Sequence, residues 1–341
     1  MLAREDADRD GPGVYDAPVR ALSPLFATPL IALAACGSPA HGPDAQPDAS
    51  PWGATVALPG PRLEPGVAAL GSRVAVIDGF DAGIAIVSHV DVYDTITGAW
   101  STLPDAPVAW THVDVASVNG ALYLLGGLEG KDFTPSGAAW VLDPDAATWR
   151  KLAPMPAGLE RGAAAIVAAP PRIYVIGGAI ATTAVATVLV YDIPTDTWSQ
   201  RPDLPSPRSH AAATLLPDGS LLVAGGLRTL DSTQPMADVV RLALDGTAWE
   251  PRAAMPTARG GCAYALFGAR FVCVGGEAGV DALDVTEAYD YAHDRWETWA
   301  PMPHARAGTQ GARVGTRLFV PGGAQEIAYR PDGFMDVLTV E

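Results

Sequence analysis

Ten residues beyond four of the tryptophans stands an arginine: Arg62 after Trp52, Arg208 after Trp198, Arg259 after Trp249 and Arg306 after Trp296, with Arg161 twelve beyond Trp149. A guanidinium is a planar fork of donors that grips a carboxylate through two parallel hydrogen bonds. Five such groups gathered at one place would select an acidic ligand. Trp110, at the same offset from Trp100, would add a flat face for stacking. The recurrence has a plainer reading, in which each arginine braces its own loop by hydrogen bonds to carbonyls. Both readings require the five arginines to occupy equivalent positions of a repeat.

Other reactive groups are few. Cys262 and Cys273 flank a tight turn near Phe267-Gly268 and fall about opposite each other on paired strands. In an oxidising compartment they could form a disulfide, or they could pack as two thiols. The histidines His41, His89, His112, His210, His293 and His304 share no metal-ligand spacing. No nucleophile elbow or phosphate loop is present. The sequence therefore predicts no metal and no cofactor. A formal net charge of −16 argues against nucleic acid or an anionic membrane surface as a partner, since both reward clustered Lys and Arg.

The first 51 residues differ from the rest. "ALSPLFATPLIALAAC" from Ala21 is a short, proline-broken apolar segment behind Arg20, too short to span a bilayer as a helix and suited to a secretion signal. Its end, Leu33-Ala34-Ala35-Cys36, resembles the bacterial lipobox, which implies lipidation of Cys36. Residues 1–35 are accordingly expected to be a signal peptide, with residues 1–18 too long and acidic for an export start and Val19 the expected true initiation site. Residues 36–51 are proline-rich and polar and would serve as a tether. Attachment to the membrane would run through the lipid alone, and Gly37 after the cysteine points to the outer membrane, facing the periplasm or the cell surface.

Residues 52–341 repeat. Apolar runs end on paired glycines at Gly127, Gly178, Gly226, Gly276 and Gly323, and on Asp78-Gly79 in the first unit, at intervals of 47 to 51 residues. Trp52, Trp100, Trp149, Trp198, Trp249 and Trp296 keep the same period. Each unit holds four short apolar stretches parted by turn residues, as in "PDG" at 217–219 and "PTD" at 194–196. Four antiparallel strands per unit make one propeller blade. With 36 Gly and 31 Pro, the chain is all-β with many turns.

These markers, the Gly-Gly pair, the Tyr-Asp of the third strand (Tyr93-Asp94, Tyr191-Asp192, Tyr289-Asp290) and the Trp of the fourth, resemble the kelch repeat. The resemblance implies a four-stranded propeller blade per repeat, and the six repeat signals predict a six-bladed β-propeller. The last unit stops at "FMDVLTVE" in its third strand, so the N-terminal strand around Trp52 is expected to complete that blade and close the ring. The glycine pairs should take positive φ and leave room for an aromatic cover, for which the repeated tryptophan is the candidate.

The resemblance leaves three functions open. One is a lipid-anchored, monomeric module of the cell envelope that binds a protein or an acidic glycan at the channel mouth through Arg62, Trp110, Arg161, Arg208, Arg259 and Arg306. Another is an enzyme similar to the kelch-type N-acetylneuraminate epimerases, with Arg208, Arg306, His210, His304 and Glu277 as its candidates. The third is a structural envelope protein. No convincing acid–base pair stands out, so binding without catalysis is favoured.

Overall fold

Period-two alternation decides where each strand sends its side chains. In the third repeat, Ile173, Val175, Leu189 and Tyr191 face one neighbouring unit, while Tyr174, Ile176, Val188 and Val190, their chain neighbours, face the other. A sheet apolar on both faces must be covered on both, and a ring of sheets packed face to face meets that need. The computed structural model describes residues 50–341, apart from 144, 146, 244, 328 and 329, and these form a six-bladed propeller with no helix. The expected signal segment, tether and Cys36 lie outside the described residues.

Each blade is a four-stranded antiparallel sheet. Blade 3 runs Ala165–Ala169, Arg172–Ile176, Val188–Asp192 and Thr197–Arg201 in order from the channel outward. Blade 6 takes its inner three strands from Ala312–Val314, Arg317–Pro321 and Asp332–Thr339. Its outermost strand is Val56–Arg62, paired antiparallel to Asp332–Thr339 with a bulge between Ala57 and Arg62. Trp52 extends this pairing through a single bridge to Leu338. The N-terminal segment thus closes the ring, and Val67, Val74 and Tyr93 of blade 1 pack on Ala312, Phe319, Met335 and Val337 of blade 6.

The repeated tryptophan has a different task from the one its spacing suggests. Its Nε1–H donates to a backbone carbonyl of the preceding blade in all six units: Trp52 to Ala300 at 3.2 Å, Trp100 to Ala57 at 2.9 Å, Trp149 to Pro104 at 3.0 Å, Trp198 to Ala153 at 2.8 Å, Trp249 to Pro202 at 3.0 Å and Trp296 to Ala253 at 2.9 Å. Three of these rings also stack at a tilt on the Tyr of the repeated Tyr-Asp, with centroids 5.1 to 5.2 Å apart. The tryptophan is therefore a staple between blades, and the expectation that it covers the glycine pair is corrected.

The glycine pair instead receives the backbone of the following blade. Gly177 and Gly178 have φ of 64° and 99°, and the Gly178 N–H donates to the Arg208 carbonyl at 2.9 Å. A Cβ on Gly177 would lie 2.4 Å from that same oxygen, so only glycine fits. The bond recurs from Gly226 to Arg259, from Gly276 to Arg306 and from Gly323 to Arg62. In blade 2 the Arg161 carbonyl likewise lies against Gly126, where a Cβ would come within 2.6 Å of it, and the Trp110 ring lies against Gly127, where a Cβ would come within 2.8 Å of the ring.

Candidate functional site

Five arginines do stand at equivalent positions, but their guanidinium groups turn into the protein. Arg161, Arg208, Arg259 and Arg306 are at most 1% exposed and Arg62 is 5% exposed. Arg208 donates to the Gly225 and Asp238 carbonyls at 3.0 and 3.2 Å and to the Asp238 carboxylate at 2.6 Å. Arg161 bonds the Leu159, Gly177 and Thr187 carbonyls. Arg62 pairs with Asp91, Arg259 with Glu287, and Arg306 with Asp332 and Asp336. Where the third strand offers Thr187 in place of an acid, burial lowers Arg161 to about 10, against the pull of Asp114, Asp203 and Glu160. Such groups brace the turn between blades, and Arg161 and Arg208 also hold a carbonyl of the glycine pair in their own blade. Trp110 is fully buried, with its Nε1 3.3 Å from Glu129. Among the described residues, these five arginines form no cationic rim to the channel.

The channel mouth is built two residues further on. Glu64, His112, Ala163, His210, Gly261 and Gly308 follow Arg62, Trp110, Arg161, Arg208, Arg259 and Arg306 by two, one per blade junction. All six have positive φ, between 51° and 64°. A belt of inter-blade hydrogen bonds joins them: His112 N–H to the Glu64 carbonyl at 3.2 Å, Ala163 to His112 at 2.9 Å, His210 to Ala163 at 2.9 Å, Gly261 to His210 at 2.8 Å and Glu64 to Gly308 at 2.7 Å. The belt imposes the left-handed backbone, which glycine adopts freely and which costs other residues roughly 1 kcal/mol. Gly261 and Gly308 also make room for carboxylates. A Cβ on Gly308 would stand 2.6 Å from Glu64 Oε1, and one on Gly261 would stand 3.4 Å from Glu277 Oε1.

Above this ring lies a cavity of about 320 Å³ with apolar walls from Leu63, Phe80, Phe133, Leu230 and Ile327. Glu64, His112, His210 and Glu277 supply its floor, and Asp231 and Glu326 stand at its sides. A narrower space of about 140 Å³ continues beneath, and Glu64, His112 and His210 line both. These three residues are the partition between mouth and channel. The imidazoles of His112 and His210 meet edge to face with centroids 5.1 Å apart, and Phe133 packs edge-on against His112 at 5.5 Å.

Burial sets the charges here. It lowers His112 to about 3, and it lowers His210 to about 4 against the opposing pull of Glu64, so both rings are neutral at physiological pH. Glu277 is raised to about 8, first by desolvation and then by the neighbouring Glu64 and Asp231 carboxylates. Desolvation also raises Glu64, with His210 acting in the opposite direction. Neutral imidazoles facing one small space can accept a proton donor or hold a metal ion.

Of the residues named as enzyme candidates, His210 and Glu277 meet in the cavity. Arg208 and Arg306 are committed to the frame, and His304 points at Asp336, 3.1 Å away. Cys262 and Cys273 are free, buried thiols. Tyr264, not Cys262, stands directly opposite Cys273, so the two are offset on the sheet by two residues, which places them outside the facing register that the turn suggested. His210 was among the enzyme candidates, but its grouping with Glu64 and His112 escaped the sequence reading because the three lie 48 and 98 residues apart and only the repeat aligns them. The tryptophan offset that found the arginines stops two residues short of them.

Comparison with known proteins matches this architecture. The family model described as the KLHDC2/KLHL20/DRC7 Kelch-repeats domain matches residues 112–323. Kelch-like protein terF of Aspergillus terreus is 35% identical over 235 residues, which cover 64% of this chain and 50% of that protein. Kelch-like protein 25 of Xenopus tropicalis is 27% identical over 245 residues, covering 70% and 40%, and kelch-like protein 35 of Mus musculus is 31% identical over 158 residues, covering 46% and 26%. The chain spans half or less of the length of these relatives.

Proposed function

Since this chain belongs to the kelch-repeat family of β-propellers, we propose that it is a protein-binding module whose partner docks on the channel mouth and inserts a side chain or chain end into the 320 Å³ cavity. The observation that carries this reading is the contrast in that cavity between apolar walls and a polar floor. Phe80, Phe133 and Ile327 offer apolar area for affinity, while Glu277 and the two histidines set the polar chemistry of whatever enters. Asp231 and Glu326 at the sides, on a chain of net charge −16, favour a basic partner segment over the acidic glycan that a cationic rim would have chosen.

Photo-reactive residues at Phe133 and Ile327 on the mouth test this, with Ile96, in the turn after the third strand of blade 1 at the other end of the blade, as control. Discrete adducts from the first two positions and none from Ile96 are expected. Equal labelling at all three, or none, rejects the reading.

The lipobox-like Leu33-Ala34-Ala35-Cys36 supports attachment of this module to the bacterial envelope through lipid on Cys36. Incorporation of labelled palmitate should be lost in Cys36→Ala, with the protein released from the membrane fraction. Unchanged fractionation of that variant excludes the anchor.

A further inference from the structure

The partition of the channel has the donor set of a transition-metal site. His112 Nε2 lies 3.6 Å from Glu64 Oε2 and His210 Nε2 lies 3.9 Å from it, and one ligand atom from each of the three residues falls within 4.8 Å of the others. These separations are too long for hydrogen bonds. They are close to the spacing of two ligands on one ion, since bonds of about 2.0 to 2.1 Å in tetrahedral geometry put neighbouring donors ~3.3 Å apart.

The groups behind the imidazoles point the same way. Ser209 Oγ donates to the Thr229 carbonyl at 2.8 Å, so its proton is committed, and the contact of 3.1 Å with His210 Nδ1 must be made by an Nδ1–H. That fixes the tautomer with a bare lone pair on Nε2. This atom is buried, has no hydrogen-bond partner and belongs to a side chain only 7% exposed. A lone pair facing a carboxylate is unfavourable unless a proton or a metal cation sits between them, and the 3.9 Å gap is too long for a shared proton. Thr111 Oγ1 holds His112 Nδ1 at 2.9 Å in the equivalent place, so both rings are oriented by the hydroxyl that precedes them in the chain.

We propose that Glu64, His112 and His210 bind one divalent transition-metal ion of the zinc class, with its open coordination face toward the mouth cavity. Two neutral imidazoles and one carboxylate favour zinc, cobalt or iron(II) over calcium or magnesium, which prefer all-oxygen ligands. Ala163, Gly261 and Gly308 complete the ring without donor side chains, so the protein supplies three ligands and leaves room for one from water or a guest. The inference stands apart from the partner reading, for it rests on the partition alone.

The test uses the full chain, stripped with chelator and titrated with Zn²⁺ against a chromogenic competitor, and with Co²⁺ followed by its ligand-field absorption. One equivalent is expected. The double variant His112→Asn/His210→Asn should lower affinity by about 100-fold or more and Glu64→Gln by about 10-fold or more, while His89→Asn, at an exposed surface histidine, leaves it unchanged. Asparagine is chosen because it tolerates positive φ; Glu64→Gln keeps the shape of its side chain and serves if the double variant does not fold. Less than one equivalent bound by the parent protein, or parent affinity retained in both variants, overturns the site.

Discussion

Two rings of residues encircle the channel only two positions apart in the chain, and they differ in kind. The first, at 62, 110, 161, 208, 259 and 306, is arginine in five places of six, and its side chains turn away from the channel to hold carbonyls and carboxylates. The second, at 64, 112, 163, 210, 261 and 308, reads Glu, His, Ala, His, Gly and Gly on one shared backbone conformation. Repetition therefore marks the frame, and variety on a repeated backbone marks the site. In a ring built from copies, a feature needed by every copy is structural, and the chemistry of one particular ligand can be supplied only where the copies differ.

Replacing a member of the first ring should have the largest effect. Arg208→Ala leaves the Gly225 and Asp238 carbonyls without their donor and the Asp238 carboxylate without its cation, which should cost about 3 to 5 kcal/mol by denaturant unfolding. A loss under about 1 kcal/mol would show that the arginines are dispensable to the frame.

Asp78 gives a smaller effect of opposite sign. It replaces the first glycine of the pair, at φ 59° and fully buried. Burial pushes its pKa well above the ordinary range, partly offset by the Trp110 amide and the Arg62 charge. Between its unfolded and folded pKa values the native state binds more protons than the unfolded state, so its contribution to stability falls as pH rises through that window. Asp78→Gly restores the repeat and should raise stability by roughly 1 to 2 kcal/mol at neutral pH, with less gain near pH 4. Thermal unfolding at the two pH values checks both sign and trend.

The second ring should respond least. His210→Asn keeps the belt bond from the Gly261 N–H to the carbonyl of residue 210 and the preferred φ, so stability should change by about 0.5 kcal/mol or less while the chemistry of the cavity changes. A loss as large as that of Arg208→Ala would abolish the distinction between the rings.

Much of the frame was legible in the sequence because its devices recur from unit to unit. The tryptophan period gave the blade count, and the missing fourth strand of the last unit gave the closure by residues near Trp52. The partner of each marker was not legible. Spacing puts the glycine pair and the tryptophan in one blade, but whether they touch depends on how blades lean on each other, and there the backbone of the next blade takes the place expected for the indole. His210 and Glu277 were named singly, but the grouping that makes the site was hidden for the converse reason. Glu64, His112 and His210 come from three separate units and share no local motif, and burial, which makes their chemistry distinctive, arises only when the ring closes.

Because the outermost strand of blade 6 is Val56–Arg62, a ribosome finishes five blades while that early-made strand has no partner to dock against. Until Asp332–Thr339 emerges, the newborn chain can be at most an open horseshoe, with one bare flank on blade 1 and another on blade 5. Glu64 follows that strand directly, so the last latch to shut is also the one that delivers the carboxylate to the two histidines.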